Sequence, residues 1–188
     1  MSKSYNIKGV DLKSELILGF SILPFIIIGS AISVYTYHNV MHYDYKNIPF
    51  TIVLGGLIFG SSIGLLIINF LGKKISSTWK IKFSDEDISI DFKNKKWRFT
   101  LNEVTKLKIY GIQNFKYVSF WLNNKDCIKL RIGNSGLTPF SDKEDLKILD
   151  NFLKDLLPYF ENKYLKIDKL KKISPPGTIK LTYIKTFS

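Results

Sequence analysis

The chain has 188 residues, with 28 Lys and Arg against 16 Asp and Glu and a formal net charge of +12. That length admits a membrane hairpin plus one further domain of about 100 residues, and the single cysteine, Cys127, excludes an intramolecular disulfide. A mean hydropathy of +0.03 conceals two unlike regions: residues 16–37 and 48–72 carry no charged side chain, whereas the chain from Lys73 onward holds 24 Lys and Arg and 13 Asp and Glu.

Residues 1–15 read as a polar, cytoplasmic flank containing Lys3, Lys8 and Lys13. Two apolar runs follow, 22 residues from Leu16 to Tyr37 and 24 from Ile48 to Leu71. Each suffices for a transmembrane helix, which needs about 20 apolar residues. A signal peptide is a poorer reading of the first run, because its apolar region would be only about 7–15 residues long. The basic flank, together with Lys73, Lys74, Lys80 and Lys82 after the second run, contrasts with the single Lys46 in the loop 38–47. Lys and Arg collect on the cytoplasmic side, so both termini are expected inside and the loop outside. Tyr35, Tyr37, Tyr43 and Tyr45 near that loop suit the membrane interface.

Pro24 is expected to kink the first helix by removing a backbone hydrogen bond. In the second, Gly56, Gly60 and Gly64 share one face at four-residue spacing. Small residues so spaced let another helix approach closely. The partner is either the first helix, through Gly29 and Ser33, or a second copy of the chain. Neither run contains Asp, Glu, Lys or Arg. Ion and proton pathways use such groups, so an anchor is expected rather than a transporter.

Beyond Lys74 the apolar residues alternate with polar ones, the pattern of half-buried strands. The inward sets are Trp79, Ile81 and Phe83; Ile88, Ile90 and Phe92; Trp97, Phe99 and Leu101; Leu107 and Ile109; Val118, Phe120 and Leu122; and Ile128, Leu130 and Ile132. Turn-forming residues separate them, and a seventh strand is expected at Leu137–Phe140. Such a series predicts an antiparallel meander rolled into a barrel or a bent sheet. An S-x-x-E capping box at Ser141 and Glu144 then opens a helix whose apolar stripe is Leu146, Leu149, Phe152, Leu153, Leu156 and Leu157. Pro158 should end or bend it.

Strands followed by one amphipathic helix, with W-K-I-K-F-S-D-E-D-I-S-I from Trp79 and K-W-R-F-T-L-N-E-V from Lys96, resemble the bacterial PH-like domain membrane proteins, particularly the YcxB-like group. The resemblance covers roughly residues 10–160. It implies a two-helix hairpin followed by a cytoplasmic PH-like domain at 75–160, an α+β unit of 6–7 strands capped by the helix, in the bacterial inner membrane. It implies no enzymatic chemistry. Phosphoinositide-binding PH domains carry basic residues in the loop between their first two strands, whereas the corresponding Ser84-Asp85-Glu86-Asp87 is acidic and would repel a phosphate.

Residues 161–188 form a basic tail that includes Lys171 and Lys172. Its last part, Thr178–Phe187, alternates and reads either as an added edge strand or as an extended recognition segment. With Lys73 and Lys74, Lys171 and Lys172 are candidates for contact with anionic headgroups, each worth on the order of 1 kcal/mol near such a surface. A solvated basic face is the plainer alternative, and no nucleic-acid motif is present.

No catalytic, cofactor or metal site is expected. His38 and His42 stand four apart without a firm third ligand, and no histidine after residue 42 can pair with Cys127 as a nucleophile. The residues therefore suggest a binding or scaffolding module, with lipid and an unidentified protein or second copy as partners. Alternatives are an immunity or defence protein and an accessory subunit of a larger membrane complex.

Overall fold

The computed structural model describes residues 2–42, 44–134, 140–168 and 177–185. Lys171 and Lys172, and all of the expected seventh strand but Phe140, lie outside the described residues. The chain divides into two compact units, a helical one at Lys13–Lys74 and a second built from Met1–Leu12 together with Ile75–Ser188.

The helical unit holds two helices long and apolar enough to cross a membrane, Leu12–Met41 and Phe50–Ile75, each with a mean hydropathy of 2.3. The first is interrupted at Ser21–Ile22, giving α1 (Leu12–Phe20) and α2 (Leu23–Met41). Pro24 stands in the first turn of α2, where a missing N–H costs least. The break is small, because the Ser21 amide still donates to Ile17 and its hydroxyl donates to the Leu18 carbonyl at 2.7 Å.

On α3 (Phe50–Ile75) the buried positions are Gly56, Gly60, Gly64, Ile68 and Gly72, a seam repeating every four residues. A Cβ built on Gly56 would lie 2.7 Å from the Gly29 carbonyl oxygen and 2.8 Å from the Ser33 Cβ. One on Gly29 would lie 2.7 Å from the Gly60 Cα, and one on Gly60 would overlap the Phe25 carbonyl. The glycine face is therefore filled by α2 of the same chain, with backbones in van der Waals contact. Ile27, Ile28, Ile32, Leu54, Ile58, Phe59, Leu66 and Phe70 point outward and are exposed.

Among the described residues, the second unit is a nine-stranded antiparallel sheet in the order β4-β3-β2-β1-β7-β6-β5-β9-β8. Its strands are β1 (Lys3–Asp11), β2 (Ser77–Ser84), β3 (Asp87–Phe92), β4 (Lys95–Thr100), β5 (Val104–Ile112), β6 (Phe115–Leu122), β7 (Cys127–Gly133), β8 (Tyr164–Asp168) and β9 (Ile179–Lys185). The six expected strands all form. The count of 6–7 and the barrel are corrected, because the sheet is open with β4 and β8 at its edges. Exposed Lys95, Lys96 and Arg98 on β4 discourage further strand addition at that edge.

Three strands fall outside the expected domain of 75–160. The N-terminal flank is itself β1, whose Tyr5, Ile7 and Val10 are buried. It pairs with β2 from Lys3↔Phe83 to Gly9↔Ser77 and then passes to β7 through Val10↔Arg131 and Asp11↔Leu130. The hairpin is thus inserted between the first two strands rather than preceding the domain. At the other end, β9 pairs with β5 along six residues and β8 lies outside it. Residues 179–185 are accordingly a strand inside the sheet, and the edge belongs to β8.

α4 (Lys143–Lys163) covers the inner face, burying Leu146, Leu149, Phe152, Leu153, Leu156 and Phe160. Leu157 is only partly buried, and Phe160 completes the stripe. The capping box sits one residue later than expected, on Asp142 and Asp145. Ser141 is instead buried, its hydroxyl accepting the Gly133 amide at 2.6 Å. Pro158 does not end the helix, because the carbonyl it deprives is that of exposed Lys154, open to water, while Phe160 anchors the last turn. Acidic side chains along α4 hold the sheet: Asp145 accepts the Lys8 amide at 2.7 Å, Asp150 pairs with Lys116, and Asp155 takes both Lys3 and the Tyr5 hydroxyl.

Gly9 marks the point where β1 changes partner. A Cβ there would lie 2.5 Å from the Arg131 carbonyl oxygen and 3.2 Å from the Trp79 indole nitrogen. Trp79 is fully buried and stacked on Phe92 at 3.7 Å, so it cannot retreat. Gly9→Ala should lower stability by about 1–3 kcal/mol, the usual cost of overpacking. Gly55→Ala, with nothing within 4 Å of the added methyl, should change little. Thermal unfolding of the detergent-solubilised chain distinguishes the two.

Candidate functional site

Strand periodicity turns Leu107, Ile109, Val118, Phe120, Ile128, Leu130 and Ile132 into the core. The alternate residues of β5, β6 and β7 therefore share the sheet face opposite α4. Register aligns them in three rows across the strands: Lys106, Trp121 and Cys127; Lys108, Ser119 and Lys129; Tyr110, Tyr117 and Arg131. β9 extends the rows with Ile184, Thr182 and Lys180. These twelve positions hold five cations and no carboxylate.

A cavity of about 370 Å³ opens on this face, lined by Leu12, Lys108, Tyr110, Tyr117, Ser119, Trp121 and Lys129. Lys108 and Lys129 flank Ser119 from the two neighbouring strands, so their backbones stand about 10 Å apart, within reach of converging side chains. The Lys106 ammonium lies over the Trp121 ring at 5.1 Å, holding one aromatic wall. Arg131 is 2% exposed. Its guanidinium packs against Phe140, Phe115 and Tyr117 at 4.4, 5.3 and 5.5 Å, and its Nε donates to the Tyr117 hydroxyl at 3.1 Å. Arg131 is thus a positioning residue that fixes Tyr117 at the cavity wall. Cationic and hydroxyl donors with aromatic walls suit an anion carrying some apolar surface.

No protein-family model, curated protein or solved structure matches the chain.

The other candidate positions are dispersed. Lys73 and Lys74 end α3, exposed, with Lys74 over the Phe70 ring at 4.5 Å. His38 stacks on Tyr45 at 4.0 Å, and His42 adopts a left-handed conformation (φ 54°) at the C-cap of α2. Among the described residues no group of three or more His, Cys, Asp or Glu is placed to hold a metal. The acidic turn Asp85–Glu86 joins β2 to β3, and Glu86 accepts from Lys163 and Asn102, both at 3.3 Å. The basic–aromatic face was not singled out from the sequence. Its signal is the filling between inward residues in K-L-K-I-Y, Y-V-S-F-W and K-L-R, cationic or aromatic at every position but Ser119, which becomes meaningful only when the strands are neighbours.

Two titratable clusters lie away from this face. Desolvation, then the hydrogen bond to Asp155 and its charge, push the Tyr5 phenol from 10.0 up to about 12. Hydrogen bonds from Lys3 and Tyr5 hold Asp155 below the ordinary carboxylate range. Burial also raises Tyr164, whose single hydroxyl hydrogen is shared between the carbonyls of Leu101 and Val104, both at 2.8 Å. A raised phenol stabilises the fold fully below its unfolded pKa and loses that contribution as pH climbs through the folded value. The stability advantage of the wild type over Tyr5→Phe, about 1 kcal/mol at neutral pH, should therefore hold to about pH 10 and shrink toward pH 12. Denaturant titrations of both proteins across that range read it directly. The Asp155 contribution runs the other way: it is present above the carboxylate range and lost as pH falls through its lowered value.

Proposed function

We propose that this chain is a membrane-anchored, non-catalytic binding or scaffolding module, its PH-like sheet domain held against the inner leaflet by an inserted transmembrane hairpin. The observation that carries this reading is the β1–β2 ladder, seven residue pairs joining the segments before and after the hairpin. Strands hydrogen-bonded to each other must lie on one side of any bilayer that the hairpin crosses. The basic residues flanking both apolar helices favour the cytoplasmic side.

Tether length supports the same reading. β1 ends at Asp11 and α1 begins at Leu12, while only Ser76 separates α3 from β2. The domain has no linker on which to leave the membrane surface. The PH-like description rests on the antiparallel strands and the covering helix, with additional strands β1, β8 and β9. In this fold the connection between the first two strands is the apolar hairpin, so headgroup reading by a basic loop at that position is not part of the proposal.

The single cysteine offers the test. Cys127 is exposed, and partial burial of its thiol, opposed by Lys129, pushes its pKa up, so labelling is best run under mildly alkaline conditions. A membrane-impermeant maleimide should modify Cys127 in inside-out vesicles and leave it unmodified in right-side-out vesicles, with Cys127→Ser as the blank. Labelling of right-side-out vesicles would refute the cytoplasmic placement. Extraction of the chain by alkaline carbonate would refute the membrane anchor.

A further inference from the structure

We infer that the basic–aromatic cavity on the outer face of β5–β7 is a binding site for the phosphate-bearing headgroup of an anionic lipid. This deepens the membrane-anchored reading above and rests on it. Three observations converge on such a ligand. The first is charge: Lys108 and Lys129 border the cavity from opposite sides, Lys106 stands in the next row, and no carboxylate among the described residues lines it.

The second is the donor set. Ser119, Tyr110 and Tyr117 share the wall with Lys108 and Lys129, and the Tyr117 hydroxyl is held in place by Arg131. A phosphate diester offers two charged oxygens that several such donors can share, and charge-assisted hydrogen bonds of this kind are the strong ones. About 370 Å³ lies within the ordinary range for small-ligand sites and accommodates a glycerophosphate group.

The third is the apolar side of the wall. Leu12, Tyr110, Tyr117 and Trp121 give the cavity surface that a free inorganic anion would not use. Leu12 is moreover the first residue of α1, where the chain passes into the apolar hairpin. A lipid supplies both the phosphate and the adjoining apolar chain. A single-stranded nucleic acid would also satisfy lysines and aromatic rings, but the apolar hairpin following Leu12 favours the lipid.

The test uses the full chain in a neutral detergent, titrated with dihexanoyl phosphatidylglycerol, dihexanoyl phosphatidylcholine, inorganic phosphate and a single-stranded oligonucleotide. Intrinsic tryptophan fluorescence, to which Trp121 in the cavity wall contributes alongside Trp79 and Trp97, and thermal shift are the readouts. Phosphatidylglycerol should give a saturable response at least tenfold tighter than phosphatidylcholine or phosphate. Lys108→Glu with Lys129→Glu should weaken it tenfold or more, whereas Lys96→Glu with Lys147→Glu, the same charge change at exposed positions elsewhere, should not. Where the glutamate pair fails to fold, Lys108→Gln with Lys129→Gln serves, and wild-type affinity in that folded variant overturns the site. Equal weakening by both pairs, saturation by phosphate alone, or tighter binding of the oligonucleotide also overturns it. Carbonate extraction of a chain whose cavity still selects phosphatidylglycerol would sink the anchor and leave the site standing.

Discussion

The hydrogen-bonded ladder between β1 and β2 is the constraint on which the rest of this protein depends. It joins residues 3–9 to 77–83, segments separated in sequence by the whole helical hairpin. Closing a loop of that length costs conformational entropy that grows only slowly with its size. The ladder recovers it through paired backbone groups and through Tyr5, Ile7, Trp79, Ile81 and Phe83, all buried in the core. Once β1 is in place, its last residues reach β7 and join the two halves of the sheet. Gly9 permits that change of partner because a side chain there would strike the Arg131 carbonyl.

α4 reads the assembled sheet rather than any single strand. Its apolar stripe seals the inner face, and its acidic residues bind β1 and β6 around that seal: Asp145 and Asp155 to β1, Asp150 to β6. The exposed ion pairs add little individually. Their value lies in orientation, since the Asp155 carboxylate is shared by Lys3 and Tyr5 and thus ties the first strand of the chain to the helix that covers it. The hairpin obeys a different physics. Its seam is made of glycines and backbone, and its outward side chains are large and apolar, the reverse of a water-soluble helical pair.

The basic face of β5–β7 follows from the same antiparallel geometry. Alternation sends one residue of each strand to the core and the next outward, so three strands with apolar inner positions concentrate whatever lies between them. Here that is lysine, tyrosine, serine, tryptophan and a caged arginine. The chain's net charge of +12 is therefore not spread evenly, and the twelve outward positions on β5, β6, β7 and β9 carry five cations and no carboxylate.

Much of this was legible in the sequence. Composition alone separated an apolar hairpin from a basic domain, and alternation located six strands and their inward residues, because those signals are local and periodic. The stripe of α4 was readable for the same reason, as was the glycine spacing of α3. The strand β1 within the flank 1–15 has little local signal, because Tyr5, Ile7 and Val10 make a short pattern interrupted by Gly9, and its lysines carry an orientation signal of their own. β8 could not be foreseen, since an edge strand of five residues has little pattern to show. Only the tertiary structure decided which strands are neighbours, that the hairpin is an insertion rather than a prefix, and that α2 occupies the glycine face. Those are long-range pairings, chosen by burial and backbone hydrogen bonding across the folded chain, and no local periodicity encodes them.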